Sequence, residues 1–201
     1  AFQLLKKRSI SDVNKKIYHK TIRLGLVLML IFSSCEFVAG DFQMRYLVHE
    51  QPMKFAAAEG VTTTTGEKAP WTVVGYVDPK THDMKGNIDI PDVLSILSYH
   101  KTTGAVTGMK EVNKQLEKRY GTKIDNHKMD YYVPANTLFW SFRVMCGFAA
   151  LLFLVSIVGL IMTRKGKESL YSHRWCLWVL AILTFSPFIV NTAGWLITEL
   201  G

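Results

Sequence analysis

Three blocks of apolar residues limit what this chain can become. They are "IRLGLVLMLIFSSCEFVAG" (Ile22–Gly40), a stretch counted from about Thr137 that contains "FWSFRVMCGFAALLFLVSIVGLIM" and ends at Met162, and "WCLWVLAILTFSPFIVNTAGWLITEL" (Trp175–Leu200). Each reaches the roughly 20 residues a helix needs to cross a hydrocarbon core. The expected fold class is all-α transmembrane: three membrane-spanning helices plus a polar extracytoplasmic loop domain. The expected divisions are 1–21, a basic cytoplasmic loop; 22–40, a span; 41–135, the outer segment; 136–162, a span; 163–174, a second basic cytoplasmic loop; and 175–200, the last span.

A cleaved signal peptide fits the first block badly. The block has 21 residues before it and no small-residue cleavage site followed by an ordinary mature start. The chain opens on Ala1 in "AFQLLKKR", which reads as the tail of an earlier apolar segment, so a piece of a longer protein is expected.

The net charge of +8 raises nucleic acid as a partner, and its distribution argues against it. Residues 1–23 hold seven Lys/Arg (Lys6, Lys7, Arg8, Lys15, Lys16, Lys20 and Arg23) against Asp12 alone. Residues 163–174 hold four, Arg164, Lys165, Lys167 and Arg174, against Glu168. Residues 41–135 hold twelve basic and twelve acidic residues, so that segment is neutral. Positive charge gathered in two short loops beside spans is the positive-inside pattern. It predicts both loops in the cytoplasm and 41–135 outside. The three cysteines, Cys35, Cys146 and Cys176, fall in or beside apolar blocks without CxxC spacing and read as packing residues.

The outer segment carries turn signals at "TTTTGEKAPW", "VDPKTHD" and "KGNIDIPD". "WTVVGYVD" reads as a strand. "IPDVLSILSYH" reads as a short helix with Asp92 near its start, and "GMKEVNKQLEKRYG" as an amphipathic helix closed by Gly121. In "EQPMKFAAAEG", Lys54 and Glu59 lie about 140° apart on a helix, too far round for a helical ion pair. Either this is an ordinary Ala-rich turn of helix, or it is an apolar ledge at the membrane surface with one cation and one carboxylate. The ledge could bind the polar head of an amphipathic ligand and take its protons.

Ionisable groups at membrane depth are costly and usually have a partner. Arg143 either snorkels to the outer interface or meets a buried anion, from a carboxylate or a cofactor's propionate. Met145 is either packing or, as a soft thioether, an axial ligand suited to haem iron. Glu199 and Trp195 share a helix face, as an interfacial carboxylate beside an aromatic belt residue or as more. Pro187 should kink the third span.

Taken in order, "GD", "KFAAAEG", "GMKEV", "FWSFRVMCGF" and "NTAGWLITELG" resemble the C-terminal part of the cytochrome bd quinol oxidase subunit I family. That resemblance implies a membrane enzyme that oxidises quinol and reduces dioxygen to water, contributing to the proton gradient. It implies a low-spin haem b, a high-spin haem b, and a haem d or a third b-type haem. Residues 41–135 would be a short quinol-binding loop, with Lys54 and Glu59 on the quinol positions. Met145 would ligate the low-spin haem b iron, with Arg143 beside that haem. Glu199 would serve the high-spin haem b iron, with Trp195 near it. Implied partners are the N-terminal half of the same subunit, subunit II, small single-span subunits, membrane quinol and the bilayer of a bacterial plasma membrane. The family's haem-ligating histidines belong to spans absent here, so this chain would supply one ligand to each of the two b haems, and the rest would come from the N-terminal half. The competing expectation is a three-span sensor or scaffold with an extracytoplasmic partner-binding domain and no haem.

Overall fold

A computed structural model describes residues 1–5, 11–124, 127–164 and 169–201. Lys6, Lys7, Arg8, Lys165, Lys167 and Glu168, which carry much of the predicted cytoplasmic charge, lie outside the described residues. After the short α1 (Phe2–Leu5), three stretches among the described residues are long and apolar enough to cross a membrane: α2 (Asp12–Glu50), α6 (Ala135–Met162) and residues 174–200.

α2 runs well past the apolar block. At 39 residues it is about 58 Å long, nearly twice a hydrocarbon core. Gly40 does not break it. An Asp41–Arg45 ion pair at 2.9 Å follows one turn apart, and Met44, Leu47 and Val48 find apolar neighbours. Pro52 ends it, because the residue before a proline is driven out of the helical region. The third span is interrupted rather than bent. α8 (Arg174–Leu183) stops, and α9 (Ser186–Leu200) restarts with Pro187 in its first turn, where a missing N–H costs nothing.

The chain divides into two compact units. The first comprises Ala1–Val38 and Cys146–Asn191. Its packed cluster is apolar: Leu5, Leu26, Cys176 and Leu177, with Leu170 from α7 (Ser169–Ser172). Gly159 lets Leu26 in, since a Cβ there would stand 2.8 Å from a Leu26 methyl.

The second unit comprises Ala39–Met145 and Thr192–Gly201. Its core joins α3 (Pro52–Glu59), α4 (Val93–Tyr99), α5 (Met109–Tyr120) and the start of α6 through Phe55, Leu94, Met109, Val112 and Leu138. β1 (Trp71–Val77) pairs antiparallel with β2 (Met84–Ile90). β2 corrects the sequence reading, which took "KGNIDIPD" for a turn. Gly86, at φ +60°, supplies a conformation that an L residue resists. A second small hairpin joins β3 (Lys123–Ile124) and β4 (His127–Lys128). Gly108 allows the closest backbone approach: a Cβ would lie 2.2 Å from the Thr63 carbonyl carbon. That approach lets the first N–H groups of α5, at Met109 and Lys110, donate to the Val61 and Thr62 carbonyls.

Candidate functional site: a buried carboxylate held by arginine and tryptophan

α3 is short because Pro52 opens it and Gly60, left-handed at φ +74°, closes it. Its last residue is Glu59. Ala56, Ala57 and Ala58 are buried and small, so the helix end sinks into the unit and takes Glu59 with it. The carboxylate is fully enclosed, at 0% side-chain exposure, which fits neither a surface ledge nor an ordinary exposed turn, the two alternatives the sequence left open.

Arg143, at 8% exposure, answers the charge. Its Nη2 donates to Glu59 Oε2 at 2.8 Å. Nη1 donates to the Ala58 carbonyl at 3.1 Å, and Nε and Nη2 donate to the Thr72 carbonyl at 3.1 and 2.6 Å. The guanidinium also lies 4.4 Å from the Phe139 ring centroid and 5.1 Å from that of Trp71, in cation–π range. Trp71 Nε1 donates to the same Glu59 Oε2 at 3.0 Å. A carboxylate of this chain thus answers Arg143, one of the buried anions that the sequence left open.

Glu59 Oε1 is buried and accepts nothing from any described residue. Burial pushes the Glu59 carboxyl above the usual range. The Arg143 charge, the Arg143 hydrogen bond and the Trp71 hydrogen bond pull it back only in part. The arrangement is chemically capable of receiving a hydroxyl donor at Oε1 and taking its proton.

The other anticipated residues sit apart from this cluster or beside it. Lys54, on the same helix, is half-buried with its stem against the chain end: a Cβ at Gly201 would lie 2.5 Å from its Cε. The Glu59 partners are Arg143 and Trp71, not Lys54. Met145 is half-buried two residues beyond Arg143, and a Cβ at Gly194 of α9 would stand 3.7 Å from its Sδ. Trp195, 59% exposed, and Glu199, exposed, follow one turn apart on α9. Sequence reasoning missed Trp71 and the Thr72 carbonyl. The usable signal was chemical: a buried indole N–H needs an acceptor, and a buried carboxylate needs donors.

The sequence pattern of the cytochrome bd terminal oxidase subunit I family matches residues 1–201. The chain belongs to that family. It is 35% identical over 201 residues to cytochrome bd ubiquinol oxidase subunit 1 of Bacillus subtilis (strain 168), covering all of this chain and 40% of that protein. It is 27% identical over 216 residues to cytochrome bd-II ubiquinol oxidase subunit 1 of Escherichia coli (strain K12), covering 81% of this chain and 41% of that one. Its structure is similar to that of bd oxidase from Geobacillus thermodenitrificans, with a TM-score of 0.75, 25% identity and coverage of 94% of this chain and 40% of the other. The chain therefore spans about 40% of the length of these relatives.

This is a family of haem proteins, and the residues present fit haem as a partial donor set. Met145 offers a half-buried thioether beside a glycine, and Glu199 an exposed carboxylate. Among the described residues no three His, Cys, Asp or Glu side chains converge on one point.

Proposed function

We propose that this chain is the C-terminal portion of subunit I of a terminal respiratory quinol oxidase in a bacterial plasma membrane, with Glu59 and Lys54 in its quinol site. The observation that carries the reading is Glu59: a fully buried carboxylate with one oxygen held by two donors and the other, Oε1, without a partner among the described residues. A quinol is an amphipathic diol whose oxidation releases two protons and two electrons. Glu59 receives a hydroxyl proton at Oε1. Arg143 keeps a positive charge beside that carboxylate, and Lys54, half-buried on the same helix, contributes a second cation to the site.

The haems supply electron transfer and dioxygen reduction when bound. Met145 would hold the low-spin haem b iron and Glu199 the high-spin haem b iron, with Trp195 and Arg143 as neighbours, each iron taking further ligands from the rest of the subunit. The partners are the N-terminal half of the subunit, subunit II and small single-span subunits. The loop excess of Lys and Arg places residues 41–135 outside, so protons from quinol leave on that side and add to the proton gradient.

The test is the reduced-minus-oxidised absorption spectrum of the complete oxidase with Met145→Leu. Loss of the low-spin b band with the other haem bands kept is the expected result. An unchanged spectrum removes Met145 from the iron, and an unmutated complex without haem overturns the oxidase reading.

A further inference from the structure

We propose that Trp71 is a positioning residue of the quinol site: its indole N–H pins Glu59 Oε2, so that Oε1 alone faces the hydroxyl of the ligand. The inference rests on the reading of Glu59 as the proton-accepting carboxylate.

Arginine commonly grips a carboxylate with two parallel bonds, one to each oxygen. Arg143 does not. Its Nε and Nη1 are spent on the Thr72 and Ala58 carbonyls, and one nitrogen, Nη2, reaches Glu59, at a single oxygen. The last torsion of a glutamate is broad and nearly two-fold, so one bond leaves the oxygens free to exchange places. Trp71 Nε1 is the second donor to that same oxygen, and two donors on Oε2 fix which oxygen is left over. A buried acceptor without a donor is costly, so the leftover Oε1 favours a ligand that brings an O–H to it.

Trp71 is itself held. It opens β1, and its neighbour Thr72 is tied by its carbonyl to Arg143 and by Oγ1 to Asp89 Oδ1 on β2 at 2.7 Å. The β1–β2 hairpin thereby becomes part of the site. Around Glu59, α6 presents the charge of Arg143, β1 presents a neutral indole, and Lys54 on α3 lies with its stem at Gly201. Losing the indole N–H removes one of the interactions that hold the carboxyl down, so Glu59 then keeps its proton to higher pH.

The experiment is Trp71→Phe in the complete oxidase, with assembly checked by its haem spectrum. The acid limb of quinol oxidation should move up by about one pH unit, as expected for a lost hydrogen bond to a charged group. The KM for quinol should rise about tenfold, while kcat at the optimum changes much less. The infrared carboxyl band of Glu59, assigned by its disappearance in Glu59→Gln, should titrate at correspondingly higher pH. A second measurement needs no Trp71 variant: with 15N-indole tryptophan, an indole N–H band should shift in step with that carboxyl titration. An unmoved pH limb and carboxyl band in Trp71→Phe, or indole bands that ignore the titration, overturn the assignment of Trp71. Normal quinol oxidation by Glu59→Gln overturns instead the reading of Glu59 on which it rests.

Discussion

In the unit of residues 1–38 and 146–191 the packed cluster is apolar, and the Ser and Thr hydroxyls of its long apolar spans bond back within their own span, while the short α7 reaches out through Tyr171 to the His19 carbonyl and through Ser169 to the Met162 carbonyl. Thr21 donates to Ile17, Ser33 to Met29, Ser34 to Leu30 and Thr184 to Leu180, each over four residues. In the unit of residues 39–145 and 192–201 polar groups reach across the chain. Arg143 meets Glu59 over 84 residues, the Thr64 N–H meets Glu111 over 47, and the Ala69 N–H meets Ser95 over 26. A membrane-spanning helix satisfies its polar groups locally, because its surroundings offer none. A polar segment with its own core can enclose charge, provided distant parts of the chain meet it there.

The most severe way to break the second unit is to remove one member of its buried pair. Arg143→Met should cost about 3–5 kcal/mol, since it strands a buried carboxylate. Adding Glu59→Leu should recover most of that loss, because apolar replacement of a whole buried pair is often neutral. Protease protection of residues 41–135 would report both. A variant Arg143→Met as well protected as the parent would mean that the pair does not hold the unit together.

Core truncation sharpens the contrast. Leu94, at 0% exposure in the second unit, should cost about 2–5 kcal/mol as Leu94→Ala. Leu154, 58% exposed in the first, should cost under about 0.5 kcal/mol in this chain by itself. Equal losses on chemical denaturation would erase the distinction. Gly108→Ala should fall between, at about 1–3 kcal/mol, because the added carbon forces α5 away from Thr63. Hydrogen exchange should show the Met109 and Lys110 amides losing protection first.

The smallest effect is a pH dependence of opposite sign at two carboxylates of the second unit. Burial raises Glu59 above its ordinary 4.5, so the folded unit holds a proton that the unfolded chain gives up. Its contribution is full below 4.5 and declines as pH rises through the raised value. Asp78 is held at about 2 by the Lys85 ammonium and the Lys80 N–H, below its ordinary 3.8. Its contribution is present above 3.8 and is lost as pH falls toward about 2. Denaturation midpoints across pH should lose the first trend in Glu59→Gln and the second in Asp78→Asn.

Much of the architecture was legible in residue order. Apolar runs of about 20 residues declare membrane-spanning helices, because lipid acts on each segment separately. Pro52 and Gly60 bound α3, and Gly121 closes α5, through backbone chemistry local to each residue. The same locality explains two misreadings. Gly40 resembles a stop until Met44, Leu47 and Val48 find neighbours, and "KGNIDIPD" resembles a turn until β1 pairs with part of it.

The site divides the same way. Residue order alone marks Arg143 as a charge in an apolar block that needs a buried anion or a route to water, and Glu59 as a carboxylate among alanines. That each is the other's partner, that Trp71 shares the bond and that Lys54 does not emerge only once the chain is folded. Residue type sets which partners a buried charge can accept, but the choice among them depends on which distant atoms the fold brings within about 3 Å.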